Sequence, residues 1–356
     1  MRLSKLLNFK DNIVLNYDLD RAEKDLKRIW TPDIRHEWID MKLPDIAPAY
    51  DLTVIIPVYN TKEYLDKCIC SVLEQETDYT IQLLIVEDHS TDGSDELLRK
   101  YERMHLPGKD ISLIFLPENR GLANARNTAL SRTSGRYVTF LDSDDYLRGR
   151  TLIQKLLTAL EKEEADFIQM QYLTLENGRL KKGSHIPEGV YTDYESMCRI
   201  PGYACMKIYR RNLFKGLWFP DNFWFEDTLI HIRIFPRCKK GIVTFNYGYV
   251  YLKNPKGITQ TRKYLPRSVE TVQVLQELLK NTCPYNIMNE ILRHLTTISY
   301  HRIKDLPEET IVLCFLVSCK IVQALDMAPS TEYREVYQAF MNQNYGYWRW
   351  YSRRKK

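Results

Sequence analysis

The stretch RYVTFLDSDDYL, Arg136 to Leu147, joins a short run of apolar and β-branched residues to three aspartates. Such a run is typical of a strand that is buried on both faces. Asp142, Asp144 and Asp145 follow at once, so these acidic residues are predicted to lie at the carboxyl end of the strand. Alternate residues of an extended chain point the same way, and Asp142 and Asp144 can therefore converge on one point.

Three apolar runs of the same kind precede this one in the chain. They are LTVIIP (Leu52 to Pro57), IQLLIVE (Ile81 to Glu87) and ISLIFL (Ile111 to Leu116). The segments between them carry apolar residues at helical spacing. Strand and helix thus alternate, which indicates an α/β fold with a doubly wound, mostly parallel sheet flanked by helices. Ligands of such sheets bind in the crevice at the carboxyl ends of the strands.

The three aspartates of FLDSDDYL predict a metal site at that edge of the sheet. Carboxylates at such close range repel one another unless a cation lies among them. Mg²⁺ and Mn²⁺ prefer oxygen ligands and often take one or two carboxylates together with substrate phosphates. We therefore expect Asp144 and Asp142 to bind Mn²⁺ or Mg²⁺. The alternative is a solvated acidic turn that caps a helix beginning near Thr151.

Two further polar segments follow predicted strands and are candidates for nucleotide contacts. VEDHSTDGS, Val86 to Ser94, places Asp88, Ser90 and Asp92 at the end of the second strand, where they could accept hydrogen bonds from a base or a ribose and cap the next helix. The alternative is helix capping alone. NRGLANARNTAL, Asn119 to Leu130, carries Arg126. Its guanidinium could make bidentate contacts to a diphosphate, or it could form an ordinary surface ion pair.

A last acidic segment, FWFEDTLIH, sets Glu226 and Asp227 among aromatic residues. A carboxylate in such surroundings suits proton abstraction near neutral pH. The alternative is the first turn of a helix, where the helix dipole favours acidic side chains. The chain contains no GxGxxG, GKS or GKT sequence, which excludes a P-loop.

Taken in order, these segments resemble the motifs of family 2 glycosyltransferases of the GT-A fold. The resemblance covers residues 51 to 262, and VEDHSTDGS, FLDSDDYL and FWFEDT are similar to the acidic loop, the DxD motif and the ED motif of that family. The other matching segments are TVIIPVYN (Thr53 to Asn60), NRGLANARN (Asn119 to Asn127), CMKIYRRNLF (Cys205 to Phe214) and YGYVYLKNPKGIT (Tyr247 to Thr259).

The resemblance implies a metal-dependent, inverting glycosyltransferase that uses a nucleotide-sugar donor, here a UDP-sugar. Asp144 would bind the metal ion on the donor diphosphate, and Asp142 would contact the ribose or the metal. Asp88 would recognise the uracil ring, while Pro57 and Tyr59 would line the nucleotide pocket. Together with Arg126, these residues form the predicted donor site.

The same resemblance assigns the acceptor side of the reaction. Asp227 would be the general base that takes the proton of the acceptor hydroxyl, and Glu226 would help to position the acceptor. The acceptor would be a glycan or a lipid-linked glycan in the synthesis of a cell-surface polysaccharide or glycoconjugate. The acidic loop departs from the family, which commonly has Asp and Gly where this chain has Glu87 and His89.

Around this region we interpret residues 1–50 as an N-terminal extension, 51–265 as the GT-A domain and 266–356 as a helical C-terminal region. The most apolar stretch, Ile311 to Leu325, is short for a bilayer span and is predicted to be a buried helix. No apolar stretch suits a signal peptide, so we expect a cytoplasmic protein. The aromatic and basic tail, Tyr345 to Lys356, predicts peripheral contact with the inner face of the cell membrane, unless its aromatic residues pack on the protein.

The composition of the chain excludes some classes of protein and of binding partner. Apolar residues form 44% of the 356 residues, which excludes global disorder. The net charge of +5 is modest and shows no basic stripe, so we expect no nucleic-acid partner. A homo-oligomer is compatible with the sequence. The alternatives to the transferase are a nucleotidyltransferase and a non-catalytic sugar-nucleotide-binding protein on a similar fold.

Overall fold

A computed structural model describes residues 14–33, 43–255, 257, 261, 264–280 and 285–355. The α-helices are α1 (Leu19–Ile29), α2 (Lys62–Leu73), α3 (Ser94–Arg99), α4 (Leu122–Leu130), α5 (Leu152–Lys162), α6 (Tyr194–Met197), α7 (Glu270–Leu278), α8 (Met288–Arg293), α9 (Ser299–Ile303), α10 (Glu308–Gln323), α11 (Arg334–Met341) and α12 (Tyr345–Arg354). The strands are β1 (Tyr50–Val58), β2 (Ile81–Glu87), β3 (Lys109–Phe115), β4 (Gly135–Phe140), β5 (Tyr146–Leu147), β6 (Phe167–Glu176), β7 (Arg179–Lys182), β8 (Gly189–Tyr191), β9 (Lys207–Arg210) and β10 (Gly241–Leu252).

Two compact units make up the described residues. The sheet unit comprises residues 43–222, 229–255 and 257. The helical unit comprises residues 14–33, 223–228, 261, 264–280 and 285–355.

The sheet unit contains one mixed sheet of ten strands. Its order is β3-β2-β1-β4-β9-β6-β10-β5, with β7 paired to β6 and β8 paired to β10. β3, β2, β1 and β4 are mutually parallel, and β10 is parallel to β6. β9 runs antiparallel between β4 and β6. The predicted doubly wound, mostly parallel sheet flanked by helices is therefore confirmed.

Three of the apolar runs form the adjacent strands β2, β1 and β4 inside this sheet, whereas the fourth forms β3 at its edge, where most residues are only partly buried. β2 is buried along its whole length, and β1 is buried from Leu52 to Val58. Leu65 and Ile69 of α2 pack in the same core as Ile56 of β1. Strands buried on both faces have no polar side to present, which explains why their sequences are continuously apolar instead of alternating.

In the helical unit, residues 14–33 pack with the C-terminal helices. Asp18 caps α1 by accepting hydrogen bonds from the N–H groups of Asp20 and Arg21, at 2.9 and 3.1 Å. Lys320 of α10 binds α1 through Asp20 and Glu23, at 2.6 and 2.5 Å. α10 itself is buried along most of its length, as predicted for the stretch Ile311 to Leu325.

The aromatic tail forms α12, and two of its five aromatic residues are buried in the helical unit. Tyr345 and Trp348 are buried and contact Phe315 of α10, with ring centroids 5.5 and 5.1 Å away. Trp350 remains 47% exposed. Within the described part of the chain, none of the helices combines the length and the apolar character that crossing a bilayer requires.

Candidate active site

The loops that follow β1, β2 and β4 lie together at one edge of the sheet, because these strands are parallel and adjacent. Backbone hydrogen bonds join the starts of the loops to neighbouring strands. The N–H of Leu141 donates to the carbonyl oxygen of Ile55 at 2.9 Å, and the N–H of Asp88 donates to that of Val58 at 2.8 Å. The sheet therefore brings the predicted acidic loops to a common edge, as the strand pattern predicts.

In the loop after β4, Asp142 is held by Arg126 of α4. The Nη2 atom of Arg126 donates to Oδ1 of Asp142 at 2.8 Å. Arg126 is 3% exposed, and its guanidinium lies over the rings of Phe140 and Phe219, at 5.8 and 5.4 Å from their centroids. The structure thus joins two predicted donor-site residues in one ion pair that orients the Asp142 carboxylate. A contact between Arg126 and the donor diphosphate stays a prediction.

The two other aspartates of this loop differ in their hydrogen bonds. Asp145 is 1% exposed, and its oxygens accept from the Tyr249 hydroxyl at 2.6 Å and from the Leu252 N–H at 2.7 Å. Asp144 is only partly buried, and its Oδ2 accepts from the side-chain amide of Asn254 at 3.0 Å. Asp145 therefore shapes the turn, while Asp144 keeps an oxygen for a ligand.

Tyr249 and Asn254 were not among the predicted site residues. They stand 104 and 110 positions along the chain from the aspartates that they bind. The only sequence signal near them is the tyrosine-rich segment Tyr247 to Thr259, whose residues 256, 258 and 259 lie outside the described part of the chain. Strand β10 carries Tyr249 to the loop after β4, and Asn254 follows two residues after the end of that strand.

Crowding of carboxylates changes the acid–base properties of this loop. Burial raises the pKa of Asp144 above its usual value, the hydrogen bond from Asn254 opposes the shift, and the charge of Asp142 adds to it. Burial, and then the charges of Asp144 and Asp142, hold the pKa of Asp145 well above its usual range. The loop therefore contains more negative charge than its own hydrogen-bond donors compensate.

The carboxylate oxygens of Asp142 and Asp144 suit a divalent cation that is also bound by a substrate. Oδ2 of Asp142 and Oδ1 of Asp144 accept no hydrogen bond from another described residue. No group of three or more His, Cys, Asp or Glu side chains among the described residues could hold a metal by itself. Two carboxylate oxygens with a diphosphate supplied by the donor match the way in which Mg²⁺ and Mn²⁺ bind in proteins.

The acidic loop after β2 differs from the loop after β4, because its carboxylates accept hydrogen bonds from backbone N–H groups. The side chain of Glu87 is 3% exposed and accepts from the N–H groups of His89 and Ser90, at 3.0 and 2.6 Å. His89 has a φ of 59°, which is the left-handed region that favours glycine. Glu87 thus closes the turn that His89 makes less favourable, a role that the sequence did not indicate.

Asp88 holds the next loop of the chain. It is 2% exposed, and its two oxygens accept from the N–H groups of Arg120 and Gly121, at 2.7 and 2.8 Å. Burial raises the pKa of Asp88 to about 6, although these two hydrogen bonds lower it. Gly121 has a φ of 84° and precedes α4. Recognition of a uracil ring by Asp88 stays a prediction.

Asp92 connects the loops after β1 and β2. Its Oδ2 accepts from the N–H of Lys62 at 2.9 Å, and its Oδ1 accepts from the N–H and the hydroxyl of Ser94, at 3.0 and 2.6 Å. These contacts satisfy N–H groups at the starts of α2 and α3. The expectation that an acid of this loop caps a helix is thus met by Asp92.

The two residues predicted to line the nucleotide pocket, at the end of β1 and just after it, differ in their exposure to solvent. Pro57 is buried inside β1, whereas Tyr59 is 49% exposed. The N–H of Asn60, which has a φ of 52°, donates to the hydroxyl of Ser90 at 3.0 Å. Tyr59 is therefore available to stack on a ligand, while Pro57 supports the strand beneath it.

The predicted base lies in the other unit. Glu226 and Asp227 belong to the segment Phe223–Thr228, which groups with the helical unit. Glu226 is 5% exposed, and Asp227 is partly exposed. The structure therefore does not gather all predicted site residues into one unit: Pro57, Tyr59, Asp88, Arg126, Asp142 and Asp144 lie in the sheet unit. The roles of Glu226 and Asp227 stay predictions.

Comparisons with known proteins agree on the family of the sheet unit. The model of glycosyl transferase family 2 matches residues 53–218. An uncharacterized glycosyltransferase of Haemophilus influenzae is 39% identical over 217 residues, which are 60% of this chain and 83% of that protein.

Two other similar proteins are longer than the matched region. Glycosyltransferase GlyA of Streptococcus pneumoniae is 30% identical over 250 residues, which are 65% of this chain. The putative teichuronic acid biosynthesis glycosyltransferase TuaG of Bacillus subtilis is 37% identical over 143 residues, which are 40% of this chain. This chain spans 35% of the length of GlyA and 55% of that of TuaG.

Solved structures share the fold. S. aureus TarS 1-349, crystallised in complex with UDP-GlcNAc, matches with a TM-score of 0.67 at 21% identity, over 85% of this chain and 91% of that one. The mannosyltransferase PcManGT of Pyrobaculum calidifontis, in complex with GDP-Man and Mn²⁺, matches with a TM-score of 0.51 at 18% identity, over 94% and 90% of the two chains. One structural neighbour of this protein thus binds Mn²⁺ beside a sugar nucleotide.

Proposed function

Since this chain belongs to glycosyl transferase family 2, we propose that it transfers a sugar from a UDP-sugar to a hydroxyl group of a glycan or lipid-linked acceptor. The observation that carries the proposal is the loop after β4, where Asp142 and Asp144 each keep a carboxylate oxygen at the ligand-binding edge of a doubly wound sheet. The relation to a teichuronic acid glycosyltransferase supports a role in the synthesis of a cell-surface polysaccharide.

On the donor side, the sheet unit would bind the nucleotide sugar. The exposed ring of Tyr59 would stack on the nucleotide, and Asp88 would accept a hydrogen bond from the uracil ring through lone pairs that its backbone donors leave. Asp144 and Asp142 would hold Mn²⁺ or Mg²⁺, which would supply charge stabilisation for the leaving diphosphate.

On the acceptor side, Asp227 would act as the general base, with Glu226 beside it to position the acceptor. As the acceptor oxygen bonds to the anomeric carbon, its proton passes to the Asp227 carboxylate. The bond between the anomeric carbon and the diphosphate oxygen breaks at the same time, so UDP leaves and the anomeric configuration inverts. This single displacement forms no covalent enzyme intermediate.

A transfer assay tests the proposal. The purified protein is incubated with a panel of UDP-sugars, an oligosaccharide acceptor pool and Mn²⁺, and UDP release and product are followed by mass spectrometry. We expect transfer from one UDP-sugar, its loss with a chelator, and an inverted anomeric configuration in the NMR spectrum of the product. Asp227→Asn should lose transfer yet keep UDP binding, because it removes only the proton acceptor.

The outcomes also separate the alternative functions. Binding of a UDP-sugar without transfer to any acceptor would favour a non-catalytic sugar-nucleotide-binding protein. Release of diphosphate from UTP and a sugar phosphate would favour a nucleotidyltransferase. Full transfer by Asp227→Asn would show that another group accepts the proton.

For its location, we infer peripheral contact with the inner face of the cell membrane through α12. Trp350 is 47% exposed, and Arg354 lies over its ring at 4.2 Å from the centroid. An exposed tryptophan with adjacent basic residues suits the headgroup region of an anionic membrane. In sedimentation with phosphatidylglycerol vesicles, we expect the double variant Trp350→Ser, Arg354→Gln to bind less than Arg103→Gln, which removes an exposed charge elsewhere. Equal sedimentation would contradict membrane contact.

A further inference from the structure

The segment Phe223–Thr228, which we call the base-bearing segment, belongs to the helical unit, although residues of the sheet unit precede and follow it in the chain. Four of its side chains are at most 5% exposed, those of Phe223, Phe225, Glu226 and Thr228.

Glu270, at the start of α7, binds the backbone of this segment directly. Its Oε2 accepts from the N–H of Trp224 at 2.7 Å, two residues before Glu226. Its Oε1 accepts from Nε1 of Trp30 at 2.6 Å and from Nε of Arg267 at 2.9 Å. The carboxylate is fully buried, and a buried charge with several well-aligned donors resists displacement.

Arginine side chains lie over the aromatic rings next to the hydrogen bond between Glu270 and the Trp224 N–H. The guanidinium of Arg267 lies 4.9 Å from the ring centroid of Trp224 and 5.7 Å from that of Trp30. Arg302 lies 3.9 Å from the ring centroid of Phe225, which immediately precedes Glu226. These contacts restrict both residues that lead into the acidic pair.

We propose that Glu270 is a positioning residue for the transfer reaction. Together with Trp30, Trp224 and Arg267 it forms a clamp, the Glu270 clamp, that fixes the base-bearing segment and so the place at which Asp227 meets the acceptor hydroxyl. All four of these residues lie outside the span 53–218 that the family model matches. The N-terminal extension and the C-terminal helices thus serve catalysis by carrying the base.

This proposal rests on the proposed function, and it predicts a particular kinetic signature. The residues assigned to the donor all lie in the sheet unit, so a loosened clamp leaves donor affinity unchanged. A base displaced by even about 1 Å lowers the rate of the chemical step on the order of 10- to 100-fold. A variant that only unfolded the protein would lower nucleotide binding and turnover together.

The experiment compares Glu270→Gln, Trp30→Phe and Glu277→Gln with the unaltered full chain. The glutamine keeps the volume of Glu270 but cannot satisfy all three donors, and Trp30→Phe removes a single donor while keeping an aromatic ring. Glu277 is on the same helix and pairs with Lys280 at 2.5 Å, away from the clamp, so it is the matched control. The readouts are kcat for sugar transfer and the Kd of UDP with Mn²⁺, measured by calorimetry.

We expect kcat of Glu270→Gln to fall about 10- to 100-fold and that of Trp30→Phe by a smaller factor. The Kd of UDP should be unchanged in both, and Glu277→Gln should match the unaltered protein. Full kcat in a folded Glu270→Gln overturns the proposal, and if that variant does not fold, full kcat in Trp30→Phe does so. Absence of transfer by the unaltered protein would instead overturn the proposed function, and with it the role of Glu270.

Discussion

The loops after β2 and β4 both follow buried parallel strands and both carry acidic side chains, but the protein uses those side chains in opposite ways. After β2, backbone N–H groups occupy both oxygens of Asp88. After β4, Asp142 and Asp144 each accept one hydrogen bond and keep one oxygen. Only the second loop therefore has the unmet ligand capacity that a metal ion and a diphosphate require.

The difference shows that an acidic strand end has two separable functions. Carboxylates that are satisfied by N–H donors fix loop geometry, and their removal should cost stability. Carboxylates that crowd one another with too few donors lower the free energy of unfolding themselves, and their removal should lower activity instead. The two loops can thus be told apart by whether a substitution lowers the free energy of unfolding.

The largest expected effect is on activity in the loop after β4. Asp144→Asn removes the charge of a predicted metal ligand but keeps the shape of the side chain. We expect kcat for transfer with Mn²⁺ to fall about 1,000-fold, or ~4 kcal/mol of transition-state stabilisation. The free energy of unfolding should stay the same or rise, since a crowded charge is removed.

A steady-state assay and a urea titration of the same preparation measure both quantities. The control is Asp78→Asn, which removes an exposed carboxylate between α2 and β2. Near-normal turnover in Asp144→Asn would mean that the loop after β4 is not the metal site.

The next effect is on stability in the loop after β2. Asp88→Ala leaves the partly buried N–H groups of Arg120 and Gly121 without their acceptor. Each unsatisfied group costs on the order of 1–2 kcal/mol, so the free energy of unfolding should fall by about 2–4 kcal/mol. Urea denaturation followed by circular dichroism measures this loss. An unchanged midpoint would show that these hydrogen bonds do not hold the loop.

The pH dependence of stability sharpens the same contrast. The pKa of Asp88 is raised from 3.8 to about 6, so between these values the folded protein binds more protons at this site than the unfolded chain. The stability that this group contributes is therefore fully present below pH 3.8 and is lost as the pH rises through about 6. Relative to Asp88→Asn, the free energy of unfolding should fall over that window by at most about 3 kcal/mol. A difference that does not vary with pH would contradict the raised pKa.

The smallest effect is expected at His89, whose φ of 59° suits glycine better than histidine. His89→Gly relieves this strain, although it also makes the unfolded chain more flexible. We expect the free energy of unfolding to change by less than about 1 kcal/mol and to increase. Thermal unfolding monitored by calorimetry resolves such a change, and a decrease would show that the histidine side chain contributes contacts of its own.

The sequence predicts most of the parallel half of the fold, because strands buried on both faces leave continuous apolar runs. β2 spans the predicted residues 81–87, and β1 exceeds its predicted bounds by two residues at the start and one at the end. β9 escapes prediction because KIYR reads as polar. Its Lys207 is nevertheless fully buried, with Nζ donating to the carbonyl oxygens of Pro201 and Tyr203, both at 2.7 Å.

The candidate site is only partly predictable for a related reason. Asp142 and Asp144 are neighbours in the chain, so the motif reveals them. Asn254 and Glu270 act through contacts to distant residues, and nothing local in their sequences signals those contacts. The placement of Phe223–Thr228 with the helical unit likewise depends on tertiary packing alone.

The most direct test of the contrast between the two loops is the affinity for UDP, measured by titration calorimetry with and without Mn²⁺. We predict that Mn²⁺ tightens UDP binding to the unaltered protein and has no such effect on Asp144→Asn. In Asp92→Asn, which weakens only the hydrogen bonds that connect the loops after β1 and β2, Mn²⁺ should still tighten binding. Equal tightening in Asp144→Asn and the unaltered protein would contradict the assignment of the metal and the donor diphosphate to the loop after β4.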